Sequence, residues 1–309
     1  MDNILKNDNE KRNILEKIKK KGGFKQLERF ENEIELGQSI MITDDFNDPN
    51  IIISLTINDG VFKVYVNNNL NPIKVFLESF NWSSGFYNNI IFNEYFKNNC
   101  NLNKNGNSIN YHIKKSIDEI NFVELDERVR FLLKDIIKSH GFQNIEIGED
   151  PNHVEYREYI LCNIDGCNNE KTIINEFKLR IDGNEVPLSI NEGYYICGLW
   201  KCKTMFSMDE IIWSIKNGFS WCYKLKDGTL VSWAIGFSDG RIAQFNTLEE
   251  FRGKGYGTKV VSKLIISYLE KGINPLVYID GDNYISQNLF SKIGYNRSTV
   301  EVFGLNAKK

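Results

Sequence analysis

Arg252-Gly253-Lys254-Gly255-Tyr256-Gly257 decides the reading of this chain, because three glycines at alternate positions stand between a strand-like run and an amphipathic helix. The run before it, Arg241–Leu248, alternates as a strand does. The run after it, Thr258–Lys271, carries Val261, Leu264, Ile265 and Tyr268 at i, i+3, i+4 and i+7, and Gly272 ends it. Such a loop puts unpaired backbone N–H groups at a helix N-terminus, where the helix dipole also favours an anion. Glycine serves there because a β-carbon blocks close approach, and because some positions require positive φ. Arg252, Lys254 and Lys259 add local positive charge. The expected ligand therefore contains phosphate.

Working outward, Ser207-Met208-Asp209-Glu210 fits a capping box ahead of Ile211, Ile212 and Ile215, with Gly218 closing the helix. Ser220–Leu225 and Thr229–Phe237 read as strands joined at Asp227-Gly228, and Asp239-Gly240 turns the chain into Arg241–Leu248. Beyond the loop helix come a short strand at Leu276–Ile279, a helix at Ile285–Lys292 ended by Gly294, and a last strand at Thr299–Leu305. The order is helix, three meander strands, glycine loop, helix, strand, helix, strand. A P-loop needs a longer gap before Gly-Lys-Ser/Thr, and a dinucleotide fingerprint needs Gly-x-Gly-x-x-Gly in a parallel βαβ unit. Neither fits antiparallel strands followed by Gly-x-Gly-x-Gly.

The pattern that fits is Arg/Gln-x-x-Gly-x-Gly/Ala. With the element order around it, this stretch resembles the CoA-pyrophosphate loop of the GNAT superfamily of N-acyltransferases. Three segments resemble its glycine N-acyltransferase branch in particular. Asp227-Gly228-Thr229-Leu230-Val231-Ser232-Trp233 looks like Gly-Thr-Pro-Val-Ser/Cys-Trp, and Thr247–Arg252 looks like Thr-Leu-Pro-Glu-Tyr-Arg. Gly272-Ile273-Asn274-Pro275-Leu276-Val277-Tyr278 resembles Gly-Phe-Pro-Val-Tyr. The likeness runs from about Phe177 to the end and is strongest over Lys226–Tyr295.

The resemblance implies a mixed α/β sheet, with a GNAT domain over 171–309 and an additional N-terminal α/β domain over 1–170. It implies acyl-CoA as co-substrate, with acetyl, longer or aromatic acyl groups, and a small-molecule amine such as glycine as acceptor. The backbone of Phe245, Asn246 and Thr247 would pair with the pantetheine arm. Arg252, Gly253, Lys254, Gly255, Tyr256, Gly257 and Thr258 would hold the pyrophosphate. Asn283 stands where superfamily members often contact CoA, and its residue type serves equally as an N-cap.

Two positions depart from the family. Arg241, after Gly240, stands where the branch has its Glu base, and arginine does not accept a proton at neutral pH. Phe290 stands where many acetylases have a catalytic Tyr, a Tyr that glycine N-acyltransferases also lack. Asp239, Glu249, Glu250 and Asp280 lie nearby in sequence, but no spacing singles one out as the base. Arg241 has an alternative use as a clamp on the carboxylate of an amino-acid acceptor. A catalytically weak or inactive CoA-binding module, and a protein or polyamine N-acetyltransferase, stand as alternatives.

The rest of the chain bounds these readings. In 309 residues, 41 % hydrophobic and 26 % charged, there is room for two ordinary globular domains. A net charge of -3 gives no general attraction to nucleic acid or anionic lipid, and no run has the apolar length of a membrane span. The start of the chain has no apolar secretory core, and its acidic residues argue against a transit peptide. A cytoplasmic location is expected, with a mitochondrial one implied by the family resemblance. Cys162–Cys167 and Cys197–Cys202 lack the gaps and the histidines of a zinc site, so no metal is expected and the thiols should be reduced. In the first half, the Lys-rich opening reads as a surface helix, and Ile51–Leu55 and Val61–Val66 as a hairpin around Asn58-Asp59-Gly60. Asn71-Pro72 starts a helix, Asn98–Asn110 is a polar loop, and Leu125–His140 is a helix. Asn163–Glu170 is the candidate boundary.

Overall fold

A computed structural model describes residues 4–24, 27–37, 39–56, 62–82, 119–125, 127–147, 156–161, 170–200 and 207–308. The Asn58-Asp59-Gly60 turn, the Asn98–Asn110 loop, Cys162, Cys167, Cys202 and most of the expected boundary at Asn163–Glu170 lie outside the described residues.

From the N-terminus the elements are β1 (Ile4–Leu5), α1 (Asp8–Lys21), α2 (Leu27–Leu36), β2 (Ser39–Thr43), β3 (Ile51–Thr56), β4 (Phe62–Val66) and α3 (Leu70–Ser79). There follow β5 (Glu119–Leu125), α4 (Glu127–Ser139), β6 (Gln143–Ile147), β7 (Tyr156–Leu161) and α5 (Glu170–Lys178). The remainder is β8 (Glu185–Pro187), α6 (Ile190–Leu199), α7 (Ser207–Asn217), β9 (Ser220–Lys224), β10 (Leu230–Gly236) and β11 (Ile242–Thr247). The chain closes with α8 (Tyr256–Leu269), β12 (Leu276–Asp280), α9 (Tyr284–Ile293) and β13 (Tyr295–Lys308).

Two compact units result, and neither is a simple half of the chain. One comprises Met1–Leu27, Gln38–Glu155 and Val300–Lys309; the other comprises Glu28–Gly37 and Tyr156–Thr299. In the first, β1 to β4 form antiparallel pairs, and β5 pairs parallel to β4 and antiparallel to the end of β13. Ile53, Val64, Leu77, Leu133 and Ile137 meet in its core. Helix α1 begins at Asn7, whose side chain accepts the Glu10 N–H at 3.0 Å, and it buries Lys11, Ile14, Leu15 and Ile18 while Lys19, Lys20 and Lys21 face out.

In the second unit β8, β9, β10 and β11 form an antiparallel meander in the order β11-β10-β9-β8. Strand β10 is buried on both faces. Its Val231 and Ala234 join Val261, Leu264 and Ile265 of α8, and its Trp233 and Ile235 join Ile196 of α6 and Ile211 of α7. The stripe expected for the loop helix is thus its buried face, with Val261, Leu264, Ile265 and Tyr268 all 0 % exposed. Helix α6 starts on Ser189, which shares a reciprocal capping box with Glu192. The sequence reading omits this helix and β8, although Ser189-Ile190-Asn191-Glu192 carries the signature.

The opening 30 residues are not one surface helix. Helix α2 belongs to the second unit, and it buries Arg29, Phe30, Asn32, Glu33 and Ile34. Charged residues normally mark a solvated face, which is why the pattern misleads; here an ion pair and hydrogen bonds accompany them inward.

The close packing of α8 on β10 rests on Gly236. Tyr268 donates to Phe237 C=O at 2.9 Å, and its ring occupies the space where a Gly236 side chain would stand. Gly236→Ala is therefore expected to lower stability by about 1–3 kcal/mol. A urea titration that moves the midpoint with an unchanged slope would show it; an unmoved midpoint would contradict it.

Candidate functional site

Strand β11 forms one wall of the candidate site. Residues Ser232 to Ile235 of β10 pair with Thr247 to Gln244, and then the register slips so that Gly236 faces Ile242. Ala243 is left as the extra residue of a β-bulge. Leu248 N–H donates to Val231 C=O, so by antiparallel alternation Asn246 also bonds toward β10. The backbone groups of Phe245 and Thr247 then point to the opposite edge. Strand β12 lies on that side, but a single parallel bridge, Arg241 to Leu276, joins the two strands. Past this bridge the described strands part, and the edge of β11 lines an opening.

The glycine loop closes one end of that opening. A one-turn 3-10 helix at Glu249–Phe251 brings the chain round, and Arg252 Nε donates to Thr247 C=O at 3.1 Å. Gly255 is the N-cap of α8 with φ of 83°, and Gly253 has φ of 75°; both lie where a side chain is disfavoured although the space beside each is open. Gly257 is needed for another reason, since a Cβ there would stand 2.9 Å from the Phe245 ring and 3.0 Å from Thr247 Oγ1. Gly255 offers no side-chain cap, and the helical bonds begin with Lys259 N–H to Gly255 C=O. The first-turn amides are thereby presented to the opening.

A cavity of about 640 Å³ joins these parts. Phe245, Asn246, Thr247, Arg252, Gly253, Gly255, Tyr256, Gly257, Thr258 and Asn283 all line it. Of the residues expected at the site, Lys254 stands apart, with Nζ on Glu250 C=O at 3.1 Å and over the Phe251 ring. Asn283 caps α9, its side chain accepting the Ser286 N–H at 3.1 Å, so the capping role is occupied while the residue still faces the cavity. The far wall comes from α9, through Ile285, Ser286, Asn288, Leu289 and Lys292, which the sequence reading does not include. Arg252 and Lys292 are the charged side chains among the lining residues, and both are cationic.

Lys259 is engaged beside the site. It pairs with Asp182 and lies over the Tyr223 ring. Burial acts against the Asp182 carboxylate, but hydrogen bonds from Lys259, Asn184 and Tyr223 outweigh it and hold its carboxyl well below the usual range. The same bond raises Lys259, despite some desolvation. Nothing in the local sequence marks this cluster, because its members lie 77 residues apart.

The position of the missing base is filled by an ion network. Asp239, 1 % exposed at the tip of the turn before β11, lies 3.0 Å from Arg29 and 2.6 Å from Arg241. Arg29 also lies 3.7 Å from Glu33. The guanidinium of Arg241 thus has an internal carboxylate, met through its Nε. Asp239 is held by two cations and is poorly suited to accept a proton. Glu249, Glu250 and Asp280 are exposed. Phe290 is a core side chain, edge-on to both Phe245 and Tyr295.

Residues 221–303 match the family model of FR47-like protein. The fold is mixed α/β with antiparallel sheets, and its second unit follows the element order that the sequence implies. A Drosophila protein of known crystal structure is similar over 98 % of this chain and 96 % of its own, at 14 % identity and a TM-score of 0.61. A GCN5-related N-acetyltransferase-like protein from Streptococcus suis covers 89 % and 90 % at 14 % identity, with a TM-score of 0.42. A GNAT-family acetyltransferase from Colwellia psychrerythraea covers 88 % and 85 % at 10 % identity, with a TM-score of 0.40. At 14 % identity the likeness to the Drosophila protein carries the fold alone. No curated protein matches the sequence. Among the described residues no group of His, Cys, Asp or Glu is arranged to hold a metal, and no helix is long and apolar enough to cross a membrane.

Removing Asp239 leaves Arg29 and Arg241 without their shared carboxylate. Asp239→Ala is expected to cost about 3–5 kcal/mol of stability, the usual effect of breaking a buried ion pair from one side. Urea unfolding of the variant checks this, and a loss below about 1 kcal/mol would mean that the network is surface-like.

Proposed function

We propose that this protein is an acyl-CoA-dependent N-acyltransferase acting on glycine or another small amino acid. One observation carries the reading: the first-turn amides of α8 and the open edge of β11 face a single cavity. A CoA molecule needs both features at once. The pyrophosphate is suited to the amides and dipole of α8, with Arg252 nearby. The pantetheine arm carries two amides, which suit the backbone groups of Phe245 and Thr247 in the manner of an added strand. The thioester would then lie toward the bulge at Ala243, where outward amide groups can polarise its carbonyl.

The acceptor amine attacks that carbonyl carbon, the C–N bond forms, and the C–S bond breaks to release CoA. Fixing both reactants in one cleft supplies much of the rate. The choice of glycine rests on the resemblance of Asp227–Trp233, Thr247–Arg252 and Gly272–Tyr278 to the glycine N-acyltransferase branch. Phe290 agrees with it, since that branch also lacks the Tyr of many acetylases. A second reading, a CoA-binding module without turnover, is favoured by Arg241 and its tie to Asp239.

Thiol release from acetyl-, butyryl- and benzoyl-CoA, against a panel of amino acids and polyamines, separates the readings. Turnover is expected with a small amino acid, and Gly255→Asp should abolish CoA binding by placing a charged side chain at a positive-φ anion site. CoA binding without turnover on any acceptor would favour the inactive module. CoA binding untouched by Gly255→Asp would contradict the site itself.

A further inference from the structure

Acyl transfer leaves a proton unassigned, and Glu249, Glu250 and Asp280 near the glycine loop are exposed side chains outside the cavity lining. Strand β12 offers a different route. Tyr278 stands two residues beyond the Arg241–Leu276 bridge, level with Ala243 of the bulge in a parallel register, where β11 and β12 have parted. Val277 and Ile279 point into the core beneath α8 and α9, so Tyr278 faces the other side of the sheet, half-buried. Its hydroxyl donates to Glu158 Oε2 at 2.8 Å, across the register pair that joins β12 to β7.

Glu158 is 2 % exposed. The groups that face it are Arg29 and Glu28 of α2, Tyr278 of β12 and Ser298 of β13. Arg29 lies over the Tyr278 ring at 5.3 Å and is itself shared with Glu33 and Asp239. Burial raises the Glu158 carboxyl above the ordinary range, and the hydrogen bonds from Tyr278 and Ser298 and the charge of Arg29 only partly offset it. Glu28 is raised as well, by burial first, against a hydrogen bond from Asn274, with Glu158 and Glu31 adding to the rise. Burial thus raises the proton affinity of this carboxylate, which suits it to take a proton from the Tyr278 hydroxyl that touches it.

We propose that Tyr278 accepts a proton from the acceptor's ammonium group while passing its own to Glu158. This rests on the acyltransfer reading above. The neutral amine then attacks the thioester carbon, the C–N bond forms and the C–S bond breaks. The second nitrogen proton leaves with the CoA thiolate to give the thiol, and Glu158 returns its proton to solvent. Tyr278 is the catalytic residue, and Glu158 acts through it. Strand β7 precedes the 221–303 segment that matches the family model, so a position-by-position comparison from Trp233 does not reach this carboxylate.

The test compares Glu158→Gln and Tyr278→Phe with the unaltered chain, in steady-state kinetics across pH and in CoA binding by calorimetry. Glu158→Gln should lower kcat about 100-fold or more, leave CoA binding unchanged, and remove the acid limb of the kcat/KM profile. That limb in the unaltered chain should lie above the ordinary range of glutamate. Tyr278→Phe should lower kcat in the same direction with CoA binding intact, which also covers a Glu158→Gln chain that does not fold. Unaltered rates and pH profiles in the folded variants would overturn the relay and leave acyl transfer standing. An unaltered chain that binds CoA and turns over no acceptor would overturn both.

Discussion

The site depends on two neighbouring strands failing to stay paired. β11 and β12 meet at one bridge, Arg241 to Leu276, and then separate. A strand edge inside a protein normally finds a partner, because unpaired backbone groups are costly when buried. Here the edge at Phe245 and Thr247 opens on a cavity, and the strand on the other side of β11 pairs normally. The bulge at Ala243 shifts the alternation just beyond the bridge. It lets Ile242 and Phe245 both face the hydrophobic core of the unit although they are three residues apart. The glycine loop is the second half of the same device: it turns the chain from the open edge into the N-terminus of α8 within a few residues.

The three glycines divide that work. Gly253 and Gly255 are set by backbone conformation, and Gly257 by the contact of α8 with Phe245 and Thr247. That contact fixes the helix start against the very residues whose backbone lines the cavity. An added side chain at Gly257 would therefore move strand and helix amides relative to each other, whereas one at Gly255 would act on the loop alone.

Much of this was legible in the sequence, because it is local. The hairpin at Asp227-Gly228, the turn at Asp239-Gly240 and the stripe of the loop helix follow from periodicity and turn chemistry, while the eleven expected site residues are what the family resemblance implies, and ten of them line the cavity. What the sequence hides is non-local. Arg29 reads as part of a charged surface helix, yet it lies against Asp239, 210 positions away, and over Tyr278. Strand β7 pairs with β12 across more than 110 residues of chain, and no pattern in Tyr156–Leu161 announces that partner. Short charged runs have the same appearance on a solvated face and in a buried network, and only packing distinguishes them.

Arg241 is where these two kinds of information meet. Position alone makes it a lost base; its surroundings make it one arm of a buried Arg29–Asp239–Arg241 group that ties α2 to the start of β11. On the proposed function, the edge of β11 and the first turn of α8 form one CoA-binding surface. Residue-resolved amide hydrogen exchange with and without CoA measures it directly. CoA should slow exchange at the amides of Gly255 to Thr258 and at Phe245 and Thr247, and leave Asn246, already bonded to β10, little changed. Protection confined to other parts of the chain, or none at the loop, would contradict it.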